Sequence, residues 1–230
     1  MTHMHIPDGV LPVKIWLFGI FLMALAVGFS LLRLRSRDLM KDIPLLGAVS
    51  AVMLVAMSLE ILPLAYHINL SVVAGILLGP ALGFLAAFIA NLILALMGHG
   101  GITVIGLNTM LLGSEAVLGH TFFYLLGKRV PVFWRAAIAT VLTLILTTLA
   151  LIGIVALSHI DPELMSHEHG HGAVAGGADT ISTFAVMVLS LGAVGWIIEA
   201  AITGAVVSFI SKVKPGLIGH VLHREKGNVQ

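Results

Sequence analysis

The first nine residues, Met1-Thr2-His3-Met4-His5-Ile6-Pro7-Asp8-Gly9, carry unusual chemical potential for their length. A histidine beside a free N-terminus offers one metal ion its imidazole, its own backbone amide nitrogen and the terminal amine. Small chelate rings hold those nitrogens nearly coplanar. A planar nitrogen set suits Ni(II) or Cu(II), whereas structural zinc takes a tetrahedron. Pro7-Asp8-Gly9 has turn chemistry: proline presets φ, aspartate bonds local backbone, and glycine tolerates positive φ. Such a turn folds the terminus back toward the rest of the chain; a solvated tail is the plain alternative.

Further nitrogen ligands recur downstream. His67 is placed where a second apolar helix ends, ahead of Asn69, and suits a fourth nitrogen ligand as well as an interfacial histidine bonded to a carbonyl. Gly98-His99-Gly100-Gly101-Ile102-Thr103, followed by Gly106-Leu107-Asn108, reads as a glycine-rich turn entering a helix. It either lines a binding site, with Asn108 and His99 supporting a ligand from behind, or simply lets helices pack closely. The segment 159–179 holds His159, His167, His169 and His171 with Asp161, Glu163 and Glu168. Gly170 and Gly172 deny it rigidity, so it is either a weak, exchangeable metal trap or a solvated loop.

Catalysis is not expected. There is no cysteine, no His-Glu-x-x-His and no serine, histidine and acid at triad spacing; no nucleotide-binding motif is present either. Glu60, Glu115 and Glu199 fall in apolar helical stretches, where a carboxylate is costly and has a partner or a function. The favoured reading is structural, with hydrogen bonds from Ser58, Ser114, Thr203 or the site histidines.

These residues are set in an overwhelmingly apolar chain. Of 230 residues, 59% are hydrophobic and 10% charged, with a mean hydropathy of +1.09. A soluble domain carries about 25% charged residues, so the sequence predicts an integral membrane protein in the lipid bilayer. Runs near 14–33, 43–61, 103–127, 133–158 and 180–211 are long enough to span, and 68–97 is interrupted by Gly79-Pro80. Apart from Lys14, every basic residue lies in 33–41, 128–135 or 212–226, which the positive-inside tendency places in the cytoplasm. An odd number of crossings must then link His67 to Lys128, so 68–97 is two helices split at Gly79-Pro80.

The expectation is an all-α, multi-pass bundle of about seven transmembrane helices, N-terminus outside and C-terminus cytoplasmic. It forms a single domain over 1–230, with 1–13 as a metal-binding segment and 159–179 as an extracellular loop. The third helix, about 68–79, is too short to span upright and should be buried. This topology gathers His3, His5, His67, His99 and the 159–179 loop on the outer face. No basic region precedes the first apolar run and no small-residue cleavage site follows it, so the N-terminus should be retained. Gly75-x-x-x-Gly79 and Ala24-x-x-x-Gly28 would allow close helix approach.

Met4-His5-Ile6-Pro7-Asp8-Gly9, His67, Ile76-Leu77-Leu78-Gly79-Pro80, Gly100-Gly101-Ile102-Thr103 and Gly106-Leu107-Asn108 occur in one order. Together they resemble the CbiM/NikM family, the substrate-capture components of energy-coupling-factor transporters for cobalt and nickel. The resemblance runs from residue 4 to about 212. It implies a seven-helix bundle whose N-terminal segment dips into the core, with metal held by the amine of Met4, the amide and imidazole of His5 and the imidazole of His67. The Pro-Asp of Ile6-Pro7-Asp8-Gly9 is closer to the nickel branch. It implies as partners a transmembrane coupling subunit, a pair of ATP-hydrolysing subunits and a small accessory membrane protein, and no nucleic acid.

One departure touches the chemistry, because Met1-Thr2-His3 precedes the Met-His pair. Translation from Met4 restores the family's terminal amine. Removal of Met1 leaves Thr2-His3 to supply the same three groups. Retention of Met1 makes a four-nitrogen chelate ending on His3 without His67. The functional expectation is capture of Ni(II), or else Co(II), at the outer face of the cell membrane, weakening as acid protonates its ligands. The rivals are a stand-alone secondary transporter or channel, which needs Glu60, Glu115 and Glu199 to line a path, and an assembly protein whose histidines are incidental.

Overall fold

A computed structural model describes residues 12–35, 40, 42–61, 66–157 and 178–217. Among these the chain is nearly all helical. The elements are α1 (Val13–Leu34), α2 (Asp42–Ser58), β1 (Glu60–Ile61), β2 (Tyr66–His67), α3 (Ser71–Leu78), α4 (Pro80–Leu96), α5 (Ile105–Leu125), α6 (Val132–Leu157) and α7 (Ala178–Val213). Val13–Leu34, Val132–Ile154 and Val188–Val213 are long and apolar enough to cross a membrane, while α2 and α4 are shorter apolar helices.

The split at Gly79-Pro80 is found. Gly79 has φ 83° and ψ 173°, a backbone region open essentially only to glycine. Pro80 begins α4, where its missing N–H costs no helical hydrogen bond. The chain therefore reverses within one residue. All eight residues of α3 are buried, as expected of a helix only about 12 Å long.

The second helix is shorter than its apolar run suggests. It stops at Ser58, and the next segment turns back as an antiparallel pair with Glu60 opposite His67 and Ile61 opposite Tyr66. Glu60 is thus on a strand rather than in a helix, and His67 is on the return strand rather than at the end of α2. Pro63 lies between the two strands in sequence, and proline cannot extend a helical hydrogen-bond ladder.

Helix α5 is central, packing against α1, α3, α4 and α6. Its buried face mixes small residues with Asn108, Thr109, Glu115 and His120. Outer helices show the reverse pattern. Helix α1 exposes Leu17, Phe18, Phe21, Leu25 and Phe29, a surface suited to lipid and not to water. Arg135, near the start of α6, lays its guanidinium 3.9 Å from the Phe123 ring centroid and donates to the Gly127 carbonyl at 3.2 Å. That carbonyl lies just past the end of α5, where helices leave acceptors unpaired.

Candidate metal centre

His67 ends β2 and is half-buried. The three residues after it have no regular structure, so their position depends on side-chain anchors. Asn69 supplies one. Its Oδ1 accepts the Ser71 backbone N–H at 2.8 Å and the Ser71 hydroxyl at 2.5 Å. This satisfies a donor that the first turn of α3 leaves unpaired. Its Nδ2 donates to Glu115 Oε2 on α5, and the other oxygen of that carboxylate accepts from Thr147 of α6 at 3.2 Å.

The α4–α5 connection brings up the second histidine. Gly98 and Gly100 both take positive φ, at 83° and 80°, which lets the chain turn sharply on either side of His99. The His99 amide donates to the Leu94 carbonyl at 2.9 Å, fixing the turn on the end of α4. The His67 and His99 rings stand 6.0 Å apart between centroids, at 87° to one another. That edge-to-face arrangement is a favourable aromatic geometry. Asn108 is buried in the first turn of α5, directly after the loop that carries His99.

Helix α1 begins at the same end of the bundle. Its first turn packs Ile15 and Trp16 against a cluster of Val104 and Leu107, around the start of α5, with Leu151 and Val188. Two of the sequence-predicted site residues, His67 and His99, are therefore brought together. His3, Met4, His5 and Asp8 lie outside the described residues, as does 159–177 of the histidine-rich loop. Among the described residues, no group of three or more His, Asp or Glu stands close enough to hold a metal.

Two of the serines expected to serve the carboxylates bond carbonyls of their own helices instead. Ser58 gives its hydroxyl to the Leu54 carbonyl at 2.6 Å, and Ser114 gives its own to Leu111 at 2.7 Å. Glu115 is held instead by Asn69 and Thr147. Asn69 was the informative residue that sequence reasoning passed over. An asparagine two residues before a helix start is a visible turn-and-cap signal, but its bond to a helix 46 positions away is not. His120 is buried away from this end, with Nδ1 donating to the Gly75 carbonyl at 3.0 Å and its ring tilted on Tyr124 at 4.5 Å. Glu199 and Thr203 are fully buried one turn apart on α7.

Comparison with known proteins finds that the chain is similar to metal-transport proteins. A family model described as CbiM, cobalt uptake substrate-specific transmembrane region, matches residues 5–217. A Methanococcus voltae protein provisionally named cobalt transport protein CbiM is 26% identical over 231 residues, covering 97% of this chain and 98% of the relative. An Archaeoglobus fulgidus protein provisionally named fused nickel transport protein NikMN is 32% identical over 222 residues, covering 94% of this chain and 68% of the relative. A crystal structure described as that of a transition metal transporter shares the fold with a TM-score of 0.75. It is 24% identical and covers 91% of this chain and 93% of its own.

Proposed function

The chain belongs to the CbiM family, and from that premise we propose that it captures Ni(II), or else Co(II), at the outer face of the cell membrane for uptake driven by ATP-hydrolysing partners. The observation that carries this reading is the convergence of His67, His99 and the start of α1 at one end of the bundle. A chelating N-terminal segment entering there needs only one further nitrogen to complete a planar set, and His67 is the half-buried candidate.

In this reading the convergent end faces outward and the C-terminus lies in the cytoplasm, with seven helices forming one membrane domain. Residues 1–13 close the site, the 159–179 loop concentrates ions near it, and Asn108, His99 and Asp8 support the ligands from behind. His5 with the amine of Met4, or else His3, supplies the remaining nitrogens. Nickel is favoured by Ile6-Pro7-Asp8-Gly9 and by the nickel name of the 32% identical relative. Partner subunits are favoured because that relative is a fused protein of which the chain covers 68%. They comprise a transmembrane coupling subunit, a pair of ATPases and a small accessory membrane protein.

The test is metal content by elemental analysis of tag-free, detergent-purified protein whose N-terminus is read by intact mass. About one equivalent of nickel or cobalt per chain is expected, as one planar nitrogen set holds one ion. His67→Ala should weaken binding at least about tenfold. A His67→Ala protein that binds nickel as tightly as the parent would sink the site. Tight metal on chains that keep Met1, indifferent to His67, would move it to His3.

A further inference from the structure

We infer that Glu115 is a positioning residue for the metal site: its buried carboxylate, acting through Asn69, holds in place the segment that carries His67. This rests on His67 being a ligand, as proposed above.

Glu115 is 3% exposed and lies at the midpoint of α5, deep in the bundle. An ionised carboxylate there is expensive unless donors surround it. Asn69 and Thr147 provide donors from two other elements, so one carboxylate joins the segment after β2 to α5 and α6. The geometry is directional. Asn69 uses its carbonyl oxygen to start α3 and its amide to reach Glu115, so both ends of its side chain are committed.

His67 stands two residues before this anchor, and its own strand pairs with a partner only two residues long. Such a hairpin has little stability of its own. The His67 imidazole meets the His99 ring edge to face, and the backbone that carries it is tethered two residues further on by Asn69. A planar metal site tolerates little misplacement of its fourth nitrogen, and supporting partners of metal ligands are typically worth about 10–100-fold in affinity.

The alternative is that Glu115 only glues helices together. A charge swap separates the two. Asn69→Asp alone sets two carboxylates against each other. Glu115→Gln alone leaves two amides that can still bond. Combined, they rebuild the same inventory in reverse. The carboxylate now at position 69 accepts from Ser71 and from the new side-chain amide at position 115. The oxygen of that amide accepts from Thr147.

The experiment measures nickel affinity by competition titration, the visible absorption band of bound nickel and the melting temperature in detergent, for both single variants, the double variant and His67→Ala. Asn69→Asp should lose about tenfold or more in affinity and shift the nickel band. Glu115→Gln should lose less, and the double variant should recover to within about threefold with the parent band. Single variants that bind like the parent while His67→Ala does not would overturn the inference and leave the site standing. So would losses that follow melting temperature alone with an unchanged band, or a double variant that melts like the parent yet fails to recover. If His67→Ala itself binds normally, the functional reading fails first, and this inference fails with it.

Discussion

Two glycines that look alike in sequence do opposite things in the fold. Gly75 and Gly28 each belong to a small-x-x-x-small pattern. A Cβ on Gly75 would stand 1.9 Å from the Ala116 carbonyl oxygen, against backbone that cannot swing away, whereas one on Gly28 would meet nothing within 4 Å. The same closeness lets the Gly75 carbonyl accept His120 Nδ1. Gly75→Ala should therefore push α3 off α5 and destabilise the fold by about 1–3 kcal/mol, the usual cost of overpacking. Gly28→Ala should be neutral or stabilising by about 0.5–1 kcal/mol, since alanine is the better helix residue. Melting curves in one detergent check both, and a Gly75→Ala protein that melts with Gly28→Ala would show that the contact yields. At this scale the sequence is only partly legible. The residue types that bind metal or tolerate close approach are visible, but which glycine is used is a matter of contact. Likewise, Glu115 reads as needing a partner, yet only the fold reveals that the partners are Asn69 and Thr147.

At the level of elements, the reversal at Gly79-Pro80 was readable because two independent signals agreed. Proline breaks the helical run locally, and the positive-inside reading of Lys and Arg also divides 68–97 into two helices. The hairpin after α2 gave no comparable signal. Glu60 and Ile61 continue the run of α2, and a hairpin of two-residue strands is too short to show an alternating pattern. The reversal yields a sharp asymmetry between its two residues. Gly79 occupies a backbone region that costs any other residue about 1–3 kcal/mol, so Gly79→Ala should lower the melting temperature by several degrees. Pro80 contributes a preset φ at a position whose N–H has no helical acceptor, so Pro80→Ala should change melting little. Equal losses from both would mean that α3 and α4 are fixed by their packing and not by the turn.

For the whole molecule, the deciding question is whether the bundle can move an ion alone. A secondary transporter needs polar groups free to exchange an ion along a path. Here Glu115 accepts from Asn69 and Thr147, His120 donates to Gly75, and Asn91 donates to the Ile105 carbonyl and to Thr109. Each of these bonds ties one helix or loop to another across the interior, which is work done by a scaffold. Among the described residues, His67 and His99 instead stand together at one end of the bundle. Purified chain in liposomes should therefore bind nickel at a level set by the number of chains and accumulate none beyond it. Sustained uptake should appear only when the coupling and ATP-hydrolysing subunits are reconstituted with it, and should stop without ATP. Radiolabelled nickel trapped inside vesicles is the readout, corrected for the bound fraction by an external chelator. Accumulation by the chain alone, driven by an imposed gradient, would require at least one of those buried pairs to open during transport. Glu115→Gln would then be expected to abolish flux rather than merely loosen the grip on His67.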